Sequence, residues 1–286
     1  LHNPPNLVGI NAMESILPEV PQVAVFDTAF HSSIPPYAFL YAIPYILYKR
    51  YRIRRYGFHG TSHKYVTMRA AQLMKKPVEG LKIISCHLGN GASITAVKDG
   101  KSVDTTMGFT PVEGLMMGTR SGDLDPGALL YVMSRESLGV GEANAMLNKH
   151  SGLIGVSGIS SDMREIEEEM AAGNQRARDA FDMFVYRIRK YIGAYAAAMG
   201  GVDAVVFTAG VGENSPAVRG QVCRNMECLG IELDEEKNKN SEKEKEISKP
   251  SSKVKVFVIP TNEELVIARD TMEVAARVTE SRRERR

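Results

Sequence analysis

Two short glycine-bearing segments follow apolar runs and could bring backbone N–H groups close to an anion. The first is HLGNGAS (87–93), and the second is FTAGVGENS (207–215). Glycine permits close approach because it has no Cβ, and a helix beginning after the second segment would add its positive N-terminal end. One such segment is usually only a turn. Two of them, with Asn90 and Asn214 available to hydrogen-bond a nucleotide, favour a phosphate cradle, although neither matches the Walker or dinucleotide fingerprint.

A histidine pair lies in the segment YGFHGTSH (56–63). His59 and His63 are four residues apart, a spacing that suits zinc on a helix. However, Gly60 disfavours a helix at His59, and no third ligand is close in sequence. We instead expect Thr61 or Ser62 to cap a helix, which leaves His59 outside it and free to donate a hydrogen bond.

Several charged residues allow two interpretations, a role in a functional site or an ordinary structural role. The run VAVF ends at Asp27, which either caps the next turn or lines a cleft at a sheet edge. Arg120 lies in a glycine-rich polar segment. Most arginines in proteins are solvated surface groups, so its position in the sequence does not by itself indicate a role in a site. Asp162 and Glu165 have the spacing of a helix capping box, and Glu263 suits the first turn of a helix through the helix dipole. These patterns alone assign none of them to catalysis or to a metal.

The apolar periodicity predicts an α/β protein with a mixed sheet. The runs 82–88, 92–98 and 101–106 predict a three-stranded meander, in which Asp99-Gly100 is a strong hairpin signal. The other predicted strands are 22–30, 203–210 and 254–260. The predicted helices are 7–17, 62–75, 126–137, 143–150, 175–199, about 215–228 and one from about 262. The long helix 175–199 carries one apolar stripe, made of Phe181, Phe184, Val185, Ile188, Ile192 and Tyr195. The charged run 234–253 is expected to be a solvated surface excursion.

Composition excludes several classes of function. The 286 residues, 43% of them hydrophobic and 24% charged, are ordinary for a soluble globular protein of one large or two smaller domains. A net charge of +2 gives no electrostatic case for nucleic acid or an anionic membrane. No apolar run approaches the roughly 18 residues of a membrane span, and no signal peptide opens the chain. Three cysteines without metal-ligand spacing favour reduced thiols and a cytoplasmic location.

Eight segments together resemble the acetate kinase (acetokinase) family. They occur in the family's order between Leu1 and about residue 275: HNPPN, VFDTAFH, YGFHGTSHKYV, CHLGNGASITAV, DTTMGFTPVEGLMMGTRSGDLDP, SGLIGVSGISSDMREI, FTAGVGENS and VIPTNEELVIARDT. The resemblance implies the fold of the sugar kinase, actin and Hsp70 superfamily, with two ribonuclease-H-like domains and nucleotide in the cleft. The meander at 82–106 matches the phosphate hairpin expected of such a domain.

The same resemblance suggests a role for each matching residue. Those expected to bind the nucleotide are His87, Leu88, Gly89, Asn90 and Gly91 at the phosphates, Asp162, Met163 and Arg164 near adenosine, and Gly210, Val211, Gly212, Glu213 and Asn214 in the second loop. Those expected around the transferring phosphoryl group are Asp27, His59 and Arg120. Phe58 and Pro111 would wall an apolar pocket for the acetate methyl, and Glu263 would bind Mg²⁺ (or Mn²⁺).

The implied reaction is reversible, in-line transfer of a phosphoryl group from ATP to acetate, which gives ADP and acetyl phosphate. Acetate is ionised at pH 7 and needs no base. It needs positioning and cancellation of charge, for which Arg120 and His59 are suited. We expect Asp27 to orient Mg²⁺ or its bound water, with an aspartyl-phosphate as the weaker option. Two alternatives stay open: a propionate or butyrate kinase, and a non-catalytic nucleotide-binding fragment.

The resemblance also implies how the chain divides and assembles. The family opens with a strand and a serine-rich phosphate loop that are absent from this sequence, so we expect an N-terminally truncated chain that lacks most of the N-terminal domain. Residues 1–29 would be a remnant of that domain, 30–262 the nucleotide-binding C-terminal domain, and 263–286 a helix and tail returning to the N-terminal domain. A homodimer is expected, with ATP and acetate as partners and without nucleic acid or membrane.

Overall fold

A six-stranded mixed sheet forms the centre of the computed structural model, which describes residues 3–240 and 242–284. The strands are β1 Lys82–Leu88, β2 Ala92–Lys98, β3 Lys101–Thr105, β4 Ala204–Thr208, β5 Lys245–Glu246 and β6 Lys255–Val258. Their order in space is β3-β2-β1-β4-β6-β5. The first three strands are antiparallel, β4 and β6 run parallel to β1, and β5 is antiparallel to β6. The predicted meander and mixed sheet are confirmed.

Helices account for most of the remaining regular structure. They are α1 Asn3–Ile16, α2 Pro36–Phe39, α3 Tyr45–Tyr51, α4 Gly60–Leu73, α5 Pro126–Arg135, α6 Val140–Lys149, α7 Gly152–Ser157, α8 Met163–Ala171, α9 Gln175–Met199, α10 Ala209–Asn214, α11 Pro216–Cys223, α12 Glu235–Lys239 and α13 Glu263–Glu284, with 3₁₀ turns at Ala29–Ser33 and Glu227–Leu229. Each predicted helix is present within a few residues of its expected limits. Among the described residues, no helix is both long and apolar enough to cross a bilayer.

The longest helix, α9, shows how local sequence sets an element's limits. The side chain of Asn174 accepts hydrogen bonds from the backbone N–H groups of Arg176 and Ala177, which have no partner within the helix. At the other end, Gly200 adopts φ 69°, the left-handed conformation that commonly follows a helix. The predicted apolar stripe of α9 is buried along its whole length. Burial of each such side chain stabilises the fold by about 1.5–3 kcal/mol.

The sheet separates two cores because successive strand residues point to opposite faces. On β1, Ile84, Cys86 and Leu88 belong to the core that contains α9, whereas Ile83 belongs to the core that contains α4. Ser85 and His87 therefore face α4 as well, and both hydrogen-bond to side chains of that helix. Ser85 and His87 thus lie on the same face of β1, and His87 is near the end of the strand that leads into the glycine segment.

The predicted strand 22–30 is wrong. Residues 22–26 form no regular element, and residues 27–33 form a turn followed by the 3₁₀ turn Ala29–Ser33. An apolar run becomes a strand only where a neighbour supplies hydrogen-bond partners, and no described strand pairs with this segment. Asp27 therefore does not end a strand.

The expectation of a solvated charged run at 234–253 is correct for most of its Lys and Glu side chains, which are exposed, but the sequence did not predict that the segment contains regular structure. The segment contains α12 and β5, and β5 adds the last strand to the sheet. Asn238, Ile247 and Ser248 are fully buried, and the Lys245 ammonium donates to backbone carbonyls within the segment. Lys245 is buried and Glu246 is exposed, because pairing of β5 with β6 turns successive residues to opposite faces of the sheet. The high content of Lys and Glu does not predict this alternation.

The chain divides into two compact units. Asp27–Thr261 contains the whole sheet and both cores, and the smaller unit consists of Leu1–Phe26 with Asn262–Arg286. Within the smaller unit, Asn262 caps α13 by accepting a hydrogen bond from the Leu265 N–H. The domain limits expected from the sequence, after residues 29 and 262, stay a prediction.

Candidate active site

Asp27 and His59 are joined at the start of α4. The His59 N–H donates to Asp27 Oδ2 at 2.6 Å, and the Gly60 N–H donates to the Asp27 carbonyl at 2.8 Å. A Cβ on Gly60 would lie 2.3 Å from that carbonyl oxygen, so only glycine fits there. His59 has φ 56°, a left-handed conformation that few non-glycine residues adopt. Backbone strain of this kind often accompanies a functional site.

The predicted cap of α4 is wrong. The helix begins at Gly60, so Thr61 and Ser62 lie within its first turn, and both are buried. Ser62 Oγ instead contacts His87 Nδ1 at 2.8 Å. The expectation that His59 lies outside the helix is confirmed, because His59 is the residue that precedes it.

Four histidines and four serines form a buried cluster on the α4 face of the sheet. His59 Nδ1 and His63 Nε2 lie 2.9 Å and 2.8 Å from Ser93 Oγ, and His63 Nδ1 lies 2.8 Å from Ser85 Oγ. At its far side, His31 Nε2 donates to the Phe58 carbonyl at 2.9 Å. His31 Nδ1 is 2.9 Å from the hydroxyl of Ser102. Both ring nitrogens of His63 and Nδ1 of His59 are thus occupied by hydrogen bonds with serine.

The cluster is electrically neutral near pH 7. Burial lowers the pKa of His59 to about 4, with Arg120 and His31 as further causes, and lowers the pKa of His87 to about 3, with His59 as a further cause. Burial also lowers the pKa of His31 and brings that of His63 well below its usual value. A neutral imidazole has one N–H donor and one acceptor nitrogen, so each ring can donate one hydrogen bond and accept one.

Arg120 lies next to the glycine segment between β1 and β2. A Cβ added to Gly91 would be 3.3 Å from Arg120 Nη1 and 3.6 Å from His59 Nε2. The same Arg120 nitrogen donates to the Pro111 carbonyl at 3.2 Å, which orients the guanidinium. Burial lowers the pKa of Arg120, yet from a normal value of 12.5 the group stays charged at pH 7. The structure therefore brings a cation and a neutral imidazole together at Gly91.

The other side of the glycine segment opens into a cavity of about 700 Å³. Eight of the thirteen residues expected to bind nucleotide line it: Gly89, Asn90, Asp162, Met163, Arg164, Gly210, Val211 and Asn214. The remaining lining residues are Leu153, Ser161, Glu167, Phe184 and Ser215. The volume suits a nucleotide-sized ligand, since small-molecule sites commonly measure about 300–1,000 Å³.

The segment 207–215 is not the glycine-rich loop that we expected. Ala209–Asn214 form α10, and Glu213 Oε1 accepts a hydrogen bond from the Ala209 N–H at 2.8 Å. Ala209 has φ 64°, so the helix starts from a strained residue directly after β4. The helix expected after Ser215 is present as α11, whose cap is the Ser215 hydroxyl, so α10 is an additional helix that the sequence did not predict.

Arg219 holds the far end of α10 in place. This fully buried side chain donates to the carbonyls of Gly212 and Glu213 and to both oxygens of Asn238, at 2.8–2.9 Å. Burial lowers the Arg219 pKa to about 10, so the group is charged at pH 7. Because Asn238 belongs to α12, Arg219 links α10, which lines the cavity, to the charged segment 234–253.

Asp162 begins α8, as its predicted capping role requires. Its Oδ1 accepts from the Arg164 N–H at 2.9 Å, and its carboxylate pairs with the Arg164 guanidinium. Hydrogen bonds from Arg164 lower the Asp162 pKa to about 2. The bond from the Glu165 N–H that defines a capping box is replaced by the bond from Arg164. Arg164 is largely exposed and Asp162 is half-buried, and both line the cavity.

Some predicted site residues have mainly structural surroundings. Leu88 is part of the core that contains α9, and a Cβ on Gly212 would make only ordinary contacts with Phe207, Cys86 and Leu88. Phe58 packs against the same core. Glu263 is the first residue of α13 in the smaller unit, and its role as a metal ligand stays a prediction. Among the described residues, no three His, Cys, Asp or Glu side chains form a metal-binding group.

Sequence reasoning missed several residues of the site. Ser62 and Ser93 lie within the segments YGFHGTSH and HLGNGAS, but neither was assigned a histidine partner, and Ser85 lies in no such segment. The alternation along β1 and β2 could have placed Ser85 and Ser93 on the face of His87. Gly118 was also missed: a Cβ there would lie 1.9 Å from Asn90 Oδ1, so this glycine makes room for a cavity side chain. Arg219 gave no local signal, since its partners are distant in sequence.

Together, the mixed sheet, the glycine turn and the Arg120–His59 pair beside a nucleotide-sized cavity define an α/β protein equipped to bind a phosphorylated ligand. The model of the acetokinase family matches residues 1–269. The chain belongs to the acetokinase family.

Similarity to individual relatives is high. The acetate kinase of Symbiobacterium thermophilum is 63% identical over 274 residues, which cover 96% of this chain and 69% of the relative. The acetate kinase of Carboxydothermus hydrogenoformans is 60% identical with the same coverage. Two crystal structures share the fold. That of Porphyromonas gingivalis acetate kinase is 54% identical with a TM-score of 0.93, and the match covers 96% of this chain and 69% of that one. That of a Francisella tularensis propionate kinase is 47% identical with a TM-score of 0.88, and the match covers 94% of this chain and 68% of that one. The expected fold class is confirmed by these structures.

Proposed function

We propose that the protein is an acetate kinase that catalyses ATP + acetate ⇌ ADP + acetyl phosphate. The observation that carries the proposal is the convergence of Arg120 and His59 at Gly91, in a turn whose other side lines the cavity. ATP bound in this cavity would direct its phosphates toward the glycine turn. Its γ-phosphorus would then lie within reach of both side chains.

The proposed step is a direct displacement. An acetate oxygen forms a bond to the γ-phosphorus, the bond from that phosphorus to the β,γ-bridging oxygen breaks, and the electron pair goes to ADP. No proton has to be removed, because acetate is already an anion. Arg120 offsets the charge on the transferring phosphoryl group, and His59 can donate one hydrogen bond to it. Phe58 and Pro111 are proposed as walls of the acetate methyl pocket.

Mg²⁺ (or Mn²⁺) is proposed to enter with ATP. This ion usually keeps several waters and uses one or two carboxylates plus substrate phosphates, so it needs no large cluster of protein ligands. Asp27 suits this role: Oδ2 accepts the His59 N–H, and Oδ1 has no hydrogen-bond partner among the described residues. We propose that Asp27 orients the ion or its waters. The metal role expected of Glu263 stays a separate prediction. The ion would neutralise charge on the phosphates.

Acetyl phosphate formation tests the proposal. Protein expressed from its complete gene would be incubated with Mg-ATP and acetate, and the product trapped as the hydroxamate. Propionate and butyrate would be compared at equal concentration. One methylene is worth only about 1–3 kcal/mol in an apolar pocket, so we expect a graded preference with acetate first.

Other outcomes favour the alternatives. A higher kcat/KM for propionate would assign the protein to the propionate kinases, a reading that the Francisella structure makes reasonable. Calorimetric binding of ATP without transfer to any short carboxylate would point to a non-catalytic nucleotide-binding protein. Absence of both binding and transfer would remove the basis of the proposal.

We also propose a homodimer in the cytoplasm. The cytoplasmic location is proposed because the three cysteines are free thiols, as in a reducing compartment.

The homodimer is proposed because Tyr37, Tyr45 and Tyr51, on the helices α2 and α3, are all exposed, which is unusual for large aromatic residues so close together in sequence. Light scattering of the purified protein and of the Tyr37→Ser, Tyr51→Ser variant tests the dimer. An unchanged mass in the variant would exclude this surface as the interface.

A further inference from the structure

A continuous chain of hydrogen-bonding groups runs from the sheet to the glycine turn. Ser85 Oγ lies 2.8 Å from His63 Nδ1, His63 Nε2 lies 2.8 Å from Ser93 Oγ, and Ser93 Oγ lies 2.9 Å from His59 Nδ1. Ser85, His63 and Ser93 are fully buried. The chain ends at His59 Nε2, which is close to Gly91 and has no hydrogen-bond partner among the described residues.

With every contact made as a hydrogen bond, protons can occupy this chain in three ways, because each neutral imidazole has one N–H and each hydroxyl has one O–H and two acceptor sites. In one of them both rings donate to Ser93, and the proton of this buried hydroxyl is left without an acceptor among the described residues. The other two run in opposite directions. In the first arrangement, every donor points toward the site. Ser85 donates to His63 Nδ1, His63 Nε2–H donates to Ser93, Ser93 donates to His59 Nδ1, and His59 carries its proton on Nε2. In the second arrangement, every donor is reversed and His59 carries its proton on Nδ1.

The far end of the chain decides between the two arrangements. In the second one, Ser85 accepts from His63, so the Ser85 proton needs another acceptor. The described residues supply none: His63 Nδ1 is the only group within hydrogen-bond distance of Ser85 Oγ. A buried hydroxyl proton without an acceptor costs free energy, whereas an unused lone pair costs less. The first arrangement is therefore favoured.

We propose that Ser93, His63 and Ser85 are positioning residues that hold His59 in the tautomer with its proton on Nε2. The inference rests on the proposed function, because a phosphoryl oxygen is the acceptor that this N–H would meet. Burial keeps the rings neutral, so the donor is an N–H that binds the oxygen without giving up its proton. The hydrogen-bonded residues thus select one of the two tautomers of His59, so that its Nε2–H is a hydrogen-bond donor beside the Arg120 guanidinium.

The neighbouring ring obeys the same rule. Ser62 Oγ is fully buried and lies 2.8 Å from His87 Nδ1, its only hydrogen-bond partner among the described residues. Ser62 must therefore donate, which leaves the His87 proton on Nε2. A Cβ added to Gly89 would lie 3.9 Å from that nitrogen. Both stacked rings therefore present N–H groups to the turn 89–91.

Solid-state ¹⁵N spectra of histidine-labelled protein test the proposal directly, because protonated and unprotonated ring nitrogens give separate signals. The chain has six histidines, and the signals of His59 are identified by their loss in His59→Asn. We expect His59 to be protonated on Nε2 in the wild type and to become a mixture of tautomers in Ser93→Ala. In that variant kcat should fall about ten- to hundredfold, with KM for ATP changed less than about threefold. Ser93→Thr, which keeps the hydroxyl, should restore both the tautomer and kcat.

Ser248→Ala is the matched control, since Ser248 is an equally buried serine whose hydroxyl donates to Glu246 and contacts no histidine. It should leave the His59 tautomer and kcat unchanged. A wild-type His59 with its proton on Nδ1, an unchanged tautomer and rate in Ser93→Ala, or an equal loss of rate in Ser248→Ala would overturn the proposal. If Ser93→Ala does not fold, Ser85→Ala tests the chain from its far end. The tautomer is read without substrate, so a wild type that forms no acetyl phosphate would overturn only the proposed function.

Discussion

The imidazole rings of His59 and His87 are stacked, with centroids 4.1 Å apart and planes inclined by 20°. Two positive charges at this distance would repel each other, and burial already disfavours charge on either ring. The pKa of His59 is lowered to about 4 and that of His87 to about 3. The site thus keeps neutral donors beside Arg120 across the physiological pH range.

Folding stability should fall as the pH decreases from about 6.5 to about 4. In this interval the unfolded chain protonates its histidines, whereas the folded protein keeps His59 and His87 neutral. The unfolded state therefore binds more protons, and each pH unit costs up to about 1.4 kcal/mol per histidine. Thermal melts between pH 8 and 4 would measure the effect. His59→Asn should reduce the slope below pH 6.5, and an identical slope in this variant would contradict the assignment.

Arg120→Ala should lower kcat by about two to three orders of magnitude while ATP affinity stays nearly intact. A well-placed donor to the transition state is worth about 3–4 kcal/mol, and Arg120 is held beside Gly91 rather than within the cavity lining. Steady-state kinetics and ATP calorimetry would separate the two effects. Arg135→Ala removes an exposed arginine from the end of α5 and should change neither quantity. A loss of less than about tenfold in Arg120→Ala would show that Arg120 is not part of the transfer site.

Gly91→Ala should reduce kcat by about tenfold or more with little loss of stability. The new methyl would lie 3.3 Å from Arg120 Nη1 and 3.6 Å from His59 Nε2, in the space proposed for the phosphoryl group. Gly91 does not have a positive φ, so its backbone accepts alanine. Gly141→Ala is a suitable control, because nothing lies within 4 Å of its added Cβ and it should raise stability slightly. A wild-type rate in Gly91→Ala would place the transfer elsewhere.

Gly118→Ala should raise the dissociation constant for the nucleotide about tenfold, and kcat should change less than this. Its Cβ would lie 1.9 Å from Asn90 Oδ1 and 3.1 Å from the Ser161 carbonyl, so the Asn90 side chain would have to leave its place in the cavity. Calorimetric titration with ADP would report the change. If the double variant Gly118→Ala, Asn90→Ala binds as weakly as Asn90→Ala alone, the effect acts through Asn90. Additive losses would instead indicate a separate role for Gly118.

Arg219→Met should destabilise the fold by about 2–4 kcal/mol and weaken nucleotide binding. Methionine fills a similar space but leaves the carbonyls of Gly212 and Glu213 and both oxygens of Asn238 without their donors. Because Gly210, Val211 and Asn214 line the cavity, loosening of α10 should raise the ADP dissociation constant. Chemical unfolding and calorimetry would measure the two effects, with the exposed Arg224→Met as control. Equal stability of the two variants would contradict the role of Arg219.

The sequence by itself determined the elements whose pattern is local. The stripe on α9, the Asp99-Gly100 turn and the alternation along β1 all follow from periodicities of 3.6 and 2 residues and from glycine or asparagine at element ends. It also indicated the residue types of the site, because glycine before an anion and a cation near a phosphoryl group are chemical requirements that any fold must meet. Family resemblance then named the positions, eight of which do line the cavity.

Only the tertiary structure decided which of these residues meet. The partners Ser93 and His59 are 34 residues apart, and Arg219 reaches across 19 residues to Asn238, so no local window contains either contact. The strand expected at 22–30 is not present because no described strand pairs with it, and the charged run 234–253 is ordered because β6 does pair with β5. Hydrogen bonding between distant segments depends on the order of strands in the sheet. The direction of the His59 proton is therefore a property of the folded chain, set by contacts with Ser93 and Ser85 that no local pattern predicts.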